Sequence, residues 1–97
     1  MSASLSTHVL DTARGRPAAG VAVEVLRGDA PVAAAETDDD GRISPLAEGL
    51  PAGRYRVVFR PPSEFFLRVE VEVELGEGHY HVPLLVSPFG CTTYRGS

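Results

Sequence analysis

Val69-Glu70-Val71-Glu72-Val73-Glu74 alternates apolar and acidic side chains without a break. A period of two puts every valine on one face of an extended chain and every glutamate on the other, whereas a helix would spread both around its surface. The stretch therefore predicts a β-strand with one dry and one wet face, the acidic row also discouraging edge-on pairing. The same period recurs upstream in Val21-Ala22-Val23-Glu24-Val25-Leu26. There Gly28-Asp29-Ala30-Pro31 turns the chain, and Val32 to Thr37 supplies the returning strand of a hairpin.

Gly and Pro clusters punctuate the rest at short intervals. Asp38-Asp39-Asp40-Gly41 makes a tight turn in which Gly41 is free to take positive φ, delivering Arg42 onto a short strand that ends at Pro45. Gly53 to Phe59 reads as another strand, and Pro61-Pro62 breaks the pattern after it. His79 to Val86 and Cys91 to Tyr94 follow as the last strands, while a first one carries His8. The expected fold class is all-β, a sandwich of about eight strands.

A length of 97 residues with 43% hydrophobic content describes one small globular domain over residues 1–97. Such a domain buries only about 60–65% of the surface its unfolded chain exposes, so association between copies is expected to help it. No stretch approaches the ~18 consecutive apolar residues of a membrane span. Met1-Ser2-Ala3-Ser4-Leu5-Ser6 lacks the basic and apolar regions of a signal peptide, so a cytoplasmic protein is expected. The single Cys91 has no internal disulfide partner, agrees with a reducing compartment, and reads as a packing or surface thiol. A net charge of −4 argues against a nucleic-acid partner, which would need a basic stripe. Any anionic ligand must be attracted locally.

The titratable chemistry near neutral pH lies in two strand-like segments, which hold His8, His79 and His81. His79 and His81, two apart, share a strand face and so have metal-ligand spacing, but no nearby Cys or carboxylate completes a ligand set and no metal site is expected. Asp38 to Asp40 lack the ligand spacing and distal Glu of a calcium loop and read as a polar turn. Taken singly, His8 reads as a satisfied strand residue, Arg42 as a turn arginine and His81 as a cross-sheet hydrogen-bonder. At the chain's end, Tyr94-Arg95-Gly96-Ser97 follows Val82-Pro83-Leu84-Leu85-Val86 so closely that no disordered tail is expected. A Tyr, an Arg and a Ser beside a carboxylate there invite a chemical reading, although chain ends ordinarily fray.

Gly15-Arg16-Pro17-Ala18-Ala19-Gly20-Val21, Thr37-Asp38, Gly41-Arg42 and Leu50-Pro51-Ala52-Gly53-Arg54-Tyr55 resemble the broad prealbumin-like sandwich family, which includes adhesin stalks and carboxypeptidase-associated modules. That likeness indicates fold alone. With Thr7-His8-Val9-Leu10-Asp11, with His79-Tyr80-His81-Val82-Pro83-Leu84-Leu85-Val86-Ser87-Pro88 and with the terminal tetrapeptide, nearly the whole chain resembles the 5-hydroxyisourate hydrolases, transthyretin-related enzymes of urate breakdown. The resemblance implies a prealbumin/transthyretin-like sandwich, with two departures. Residues 60–68 are shorter than the usual connection, so the family's short helix is expected to be missing, and Cys91 stands where relatives commonly place an aromatic residue.

The resemblance also implies the site. His8, Arg42, His81 and Ser97 would be the catalytic groups, with His8, Arg42, Tyr94 and Arg95 contacting a purine-derived ring whose amide-like N1–C6 bond is opened by water. A neutral imidazole near pKa ~6.5 takes a proton from water at neutral pH, so His8 is the first candidate base and His81 the second. Arg42 brings fixed charge and a planar donor fork suited to a developing oxyanion. Tyr94 offers a flat wall with a hydroxyl, while Arg95, Ser97 and the terminal carboxylate order the tail and tune a histidine. No metal or organic cofactor is implied. Two sandwiches would pair edge to edge into a dimer, and two dimers would pack face to face into a homotetramer with sites at that second interface. The rival readings are a small-molecule carrier, which needs an apolar channel and no activated water, and a structural sandwich module, which needs neither the histidines nor a fixed terminus.

Overall fold

The computed structural model describes residues 2–96. It contains ten strands and, among the described residues, no helix. They are β1 (Ala3–Asp11), β2 (Arg16–Pro17), β3 (Ala22–Arg27), β4 (Ala30–Glu36), β5 (Arg42–Leu50), β6 (Gly53–Phe59), β7 (Val69–Leu75), β8 (Gly78–His81), β9 (Leu84–Val86) and β10 (Cys91–Thr93). One sheet has the antiparallel order β4-β3-β6-β7. The other is organised around β1, which pairs antiparallel with β5 along one edge and parallel with β8 and then β9 along the other. The short β2 caps the end of β1 antiparallel, and β10 continues the sheet beyond β9. Among the described residues no helix is long and apolar enough to cross a membrane.

The alternating patterns are realised as expected. Val23 and Val25 of β3, Tyr55, Val57 and Phe59 of β6, Leu5 and Val9 of β1 and Leu84 of β9 are fully buried and meet in one cluster between the sheets. Val69 and Val73 pack against that cluster while Glu70, Glu72 and Glu74 stay exposed. Glu70 accepts a hydrogen bond from Arg56 at 2.7 Å on this wet face. Such surface pairs contribute little, about 0–1 kcal/mol, so β7 is held by its valine face.

Three sequence expectations are refined. His79 to Val86 is not one strand, because Pro83 has no N–H to continue the ladder. The freed carbonyls are taken by threonine hydroxyls, Thr7 donating to Val82 O at 2.6 Å and Thr93 to Pro83 O at 2.9 Å. With this split and the short β2, the eight expected strands become ten. Nor does Pro45 end its strand. The register passes from Thr7↔Ile43 to Leu5↔Ala47, so four steps on β5 match two on β1, and Pro45 sits in the resulting bulge, where a missing N–H is tolerated. Residues 60–68 are irregular, the Ser63 hydroxyl accepting from the Phe65 and Phe66 amides in place of a helical turn.

Candidate active site

β1 is written in two alternating halves. Ala3, Leu5, Thr7 and Val9 are buried and belong to the inner face, so Ser4, Ser6 and His8 share the outer one. Pairing then brings partners to that outer face from both sides. Ser4 lies beside His79 and Ser6 beside His81 across the parallel β1–β8 ladder, and His8 lies beside Arg42 across the antiparallel β1–β5 ladder. Three segments far apart in sequence thus assemble one row of chemistry.

Arg42 is positioned by the turn before it. Asp38 Oδ1 accepts from the amides of Asp40 and Arg42, each at 2.9 Å, and Asp38 O accepts from Gly41 N–H at 2.9 Å. Gly41 has φ 74°, and a Cβ there would come within 2.5 Å of Val9 O, so only glycine lets the turn press against β1. The Val9 amide closes the contact by donating to Gly41 O at 2.7 Å. The Arg42 side chain is exposed and has no hydrogen-bond or ion-pair partner among the described residues, leaving its donor fork for an acceptor.

The imidazoles are differently held. His8 Nε2 lies 2.9 Å from Asp40 O. A carbonyl can only accept, so Nε2 carries a hydrogen and Nδ1 holds the lone pair of neutral His8. His79 bridges two hydroxyls, Nδ1 at 2.7 Å from Ser4 Oγ and Nε2 at 2.9 Å from Ser6 Oγ, and Ser6 Oγ also reaches His81 Nδ1 at 2.8 Å. The His81 pKa is pushed below its ordinary 6.5, first by partial burial and then by the neighbouring His8, Arg42 and His79. These surroundings favour the neutral form of His81, with Nδ1 engaged by Ser6 and Nε2 without a hydrogen-bond partner among the described residues.

The tail wraps the edge of β8. Gly96 N–H donates to His81 O at 2.8 Å, forming an isolated bridge. Its backbone lies so close to the ring that a Cβ on Gly96 would stand 2.7 Å from His81 Cδ2. Arg95 instead stacks its guanidinium over the Tyr80 ring, 4.8 Å from the centroid. With Tyr94 it lines a cleft of about 370 Å³ at the open edge of the sandwich, together with Val71, Val73, Tyr80 and Val82. None of His8, Arg42 and His81 lines that cleft. Of the expected site residues, His8, Arg42 and His81 are brought together, Gly96 joins them, and Tyr94 and Arg95 lie around the edge. Ser97 lies outside the described residues.

Residues 5–96 match the HIUase/Transthyretin family. The chain belongs to this family. Among its relatives, the 5-hydroxyisourate hydrolase of Deinococcus radiodurans is 43% identical, over 96% of this chain and 95% of that protein. The solved 5-hydroxyisourate hydrolase of Klebsiella pneumoniae superposes with a TM-score of 0.90 at 38% identity, covering 98% of this chain and 99% of that one. Transthyretin from Sparus aurata superposes with a TM-score of 0.81 at 34% identity, covering 95% of each.

The candidate site also includes residues that the motifs alone did not single out. Ser4 and Ser6, and the backbone carbonyl of Asp40, hold the imidazoles, and His79 stood out only as one half of a metal-ligand spacing. The available signal was the period of two: Ser4 and Ser6 repeat with His8 down one face of a strand whose other face is apolar. No group of three or more His, Cys, Asp or Glu with metal-binding geometry occurs among the described residues. His79 and the Nδ1 of His81 are already satisfied by hydroxyls.

Proposed function

We propose that this protein, as a single domain over residues 1–97, hydrolyses 5-hydroxyisourate to 2-oxo-4-hydroxy-4-carboxy-5-ureidoimidazoline in urate degradation. The observation that carries the reading is the meeting of two imidazoles and an exposed guanidinium on one sheet face, in a chain about 40% identical to proteins named 5-hydroxyisourate hydrolase. Ring opening needs water deprotonated, negative charge stabilised on the carbonyl oxygen, and a proton returned to the leaving nitrogen. We place the base on His81 Nε2 ahead of His8, because His81 is the imidazole kept neutral by its surroundings. His8, whose Nδ1 is its free acceptor, receives a ring N–H or hydroxyl of the substrate. Arg42 spans adjacent acceptors and stabilises the oxyanion. Arg95, stacked over Tyr80, holds the tail so that Gly96 lies against His81. Imidazole, guanidinium and water supply all the proton transfer and electrostatics, so the reaction calls for no organic cofactor.

Assembly belongs to the same reading. Among the described residues β7 pairs only with β6 and β10 only with β9, which leaves two edges for strand pairing into a dimer. The exposed Arg42 face would then be enclosed by a second dimer. A purely carrier role is disfavoured by what lines that face, since a carrier needs apolar walls rather than paired imidazoles. Generating 5-hydroxyisourate with urate oxidase and following decay of its absorbance tests the activity directly. No acceleration over spontaneous decay rejects it, and full specific activity in a demonstrated monomer rejects the shared site.

A further inference from the structure

Two imidazoles and two hydroxyls form a continuous row along β1 and β8. Ser4 Oγ meets His79 Nδ1, His79 Nε2 meets Ser6 Oγ, and Ser6 Oγ meets His81 Nδ1, at 2.7, 2.9 and 2.8 Å. We propose that Ser6 is a positioning residue that locks the tautomers of His79 and His81 together, so that His81 Nε2 alternates between base and acid while neither ring accumulates charge. The inference rests on the proposed hydrolysis and assigns a role to residues that the hydrolysis itself leaves without one.

The argument is a count of hydrogens. Ser6 has one hydroxyl hydrogen and stands between two ring nitrogens, so with one hydrogen per bond it donates to one ring and accepts from the other. Each neutral imidazole also carries one N–H. The row therefore has two registers. In the first, His81 Nδ1–H donates to Ser6, Ser6 donates to His79 Nε2, and His79 Nδ1–H donates to Ser4, leaving the lone pair on His81 Nε2. In the second every hydrogen is reversed, and His81 Nε2 carries N–H.

Switching between them conserves protons. As His81 Nε2 takes a proton from the attacking water, its Nδ1 proton moves to Ser6 Oγ, the Ser6 proton to His79 Nε2, the His79 Nδ1 proton to Ser4 Oγ, and the Ser4 proton to solvent, where that bond is exposed. The hydroxide bonds to the carbonyl carbon. When the ring C–N bond breaks, His81 Nε2–H is delivered to the leaving nitrogen and the row runs back, Ser4 regaining a proton from solvent. The new carboxylic acid then ionises into solution. A row that avoids imidazolium suits this site, because Arg42, His8 and partial burial all oppose charge on His81.

The test uses the full chain with Ser6→Ala and Ser6→Thr. Loss of the bridge is expected to lower kcat about 10- to 100-fold with KM within about twofold, and threonine, which keeps the hydroxyl, to restore it. Ring 15N spectra without substrate should show both His79 and His81 changing tautomer balance in Ser6→Ala, and both returning in Ser6→Thr. Wild-type kcat in Ser6→Ala overturns the proposal, as does a loss of rate that leaves the His81 spectrum unchanged. Should Ser6→Ala not fold, His79→Leu on the exposed side of β8 is read the same way, with unchanged kcat again overturning it. The spectra need no turnover, so they decide the coupling even if the wild-type protein fails to open the ring.

Discussion

Replacing Gly96 by Ala adds one methyl group where the tail lies on the His81 ring. The new Cβ would stand 2.7 Å from His81 Cδ2, 3.1 Å from Cβ and 3.2 Å from Cγ. Unstrained carbon contacts begin near 3.5 Å, so ring and tail must separate by about 0.8 Å. The opposing restraints are modest, one Gly96 N–H to His81 O bond and the Arg95 stacking on Tyr80. A displacement of about 1 Å near reacting atoms costs on the order of 100-fold, so kcat/KM is expected to fall about 30- to 100-fold. Thermal stability should fall by no more than the worth of that one hydrogen bond. One net hydrogen bond is worth about 1 kcal/mol, which for a domain this size moves Tm by about 4–8 °C at most. Gly90→Ala is the matched control, since a Cβ there meets only Ser87 Oγ, at an ordinary 3.6 Å. The assay is turnover of freshly generated 5-hydroxyisourate beside a thermal melt of each variant. Wild-type turnover in Gly96→Ala, or an equal loss in Gly90→Ala, would refute the reasoning.

The pH dependence should carry the mark of His81. A base held below 6.5 keeps its lone pair into mild acid, so the acidic limb of kcat/KM should have its midpoint below 6.5, and a midpoint at or above that value counts against His81 as base. For stability the sign is that of a lowered histidine: the unfolded chain binds the proton more readily, so this group lowers stability as pH falls below 6.5 and contributes nothing well above it. Gly41→Ala tests the turn that delivers Arg42, because its Cβ would meet Val9 O at 2.5 Å on a backbone at φ 74°. Strain plus overpacking should cost about 2–3 kcal/mol, seen as a Tm lower by roughly 10 °C or more, and an unchanged melt would show that the turn can shift away from β1.

The strands were legible wherever one face is buried, because alternation is then forced; Val69 to Glu74 and Val21 to Leu26 read correctly for this reason. The turn at Gly41 was legible too, since an Asp run before glycine has few other uses. Pro45 misled because a proline ends a regular strand but not a bulged one, and the bulge is set by the distant β1. The site was only half legible. His8, Arg42 and His81 stand out by residue type, whereas Ser4 and Ser6 gain their meaning from the parallel pairing of β1 with β8, a contact between segments more than seventy residues apart. Tyr94 and Arg95 shared a motif with Gly96, yet both line the neighbouring cleft, because the tail bends around an edge that local sequence does not reveal.

The division of β1 into an inner and an outer set of residues has a consequence for how such a protein can change. Leu5, Thr7 and Val9 hold the architecture, while Ser4, Ser6 and His8 hold the chemistry, and the two sets interleave without sharing a position. Exchanges at Ser4 and His8, the partly exposed members of the outer set, leave the inner side chains their own contacts. Exchanges at a few alternate positions, with the matching ones on β5 and β8, would therefore change the chemistry of this face while the fold stays the same.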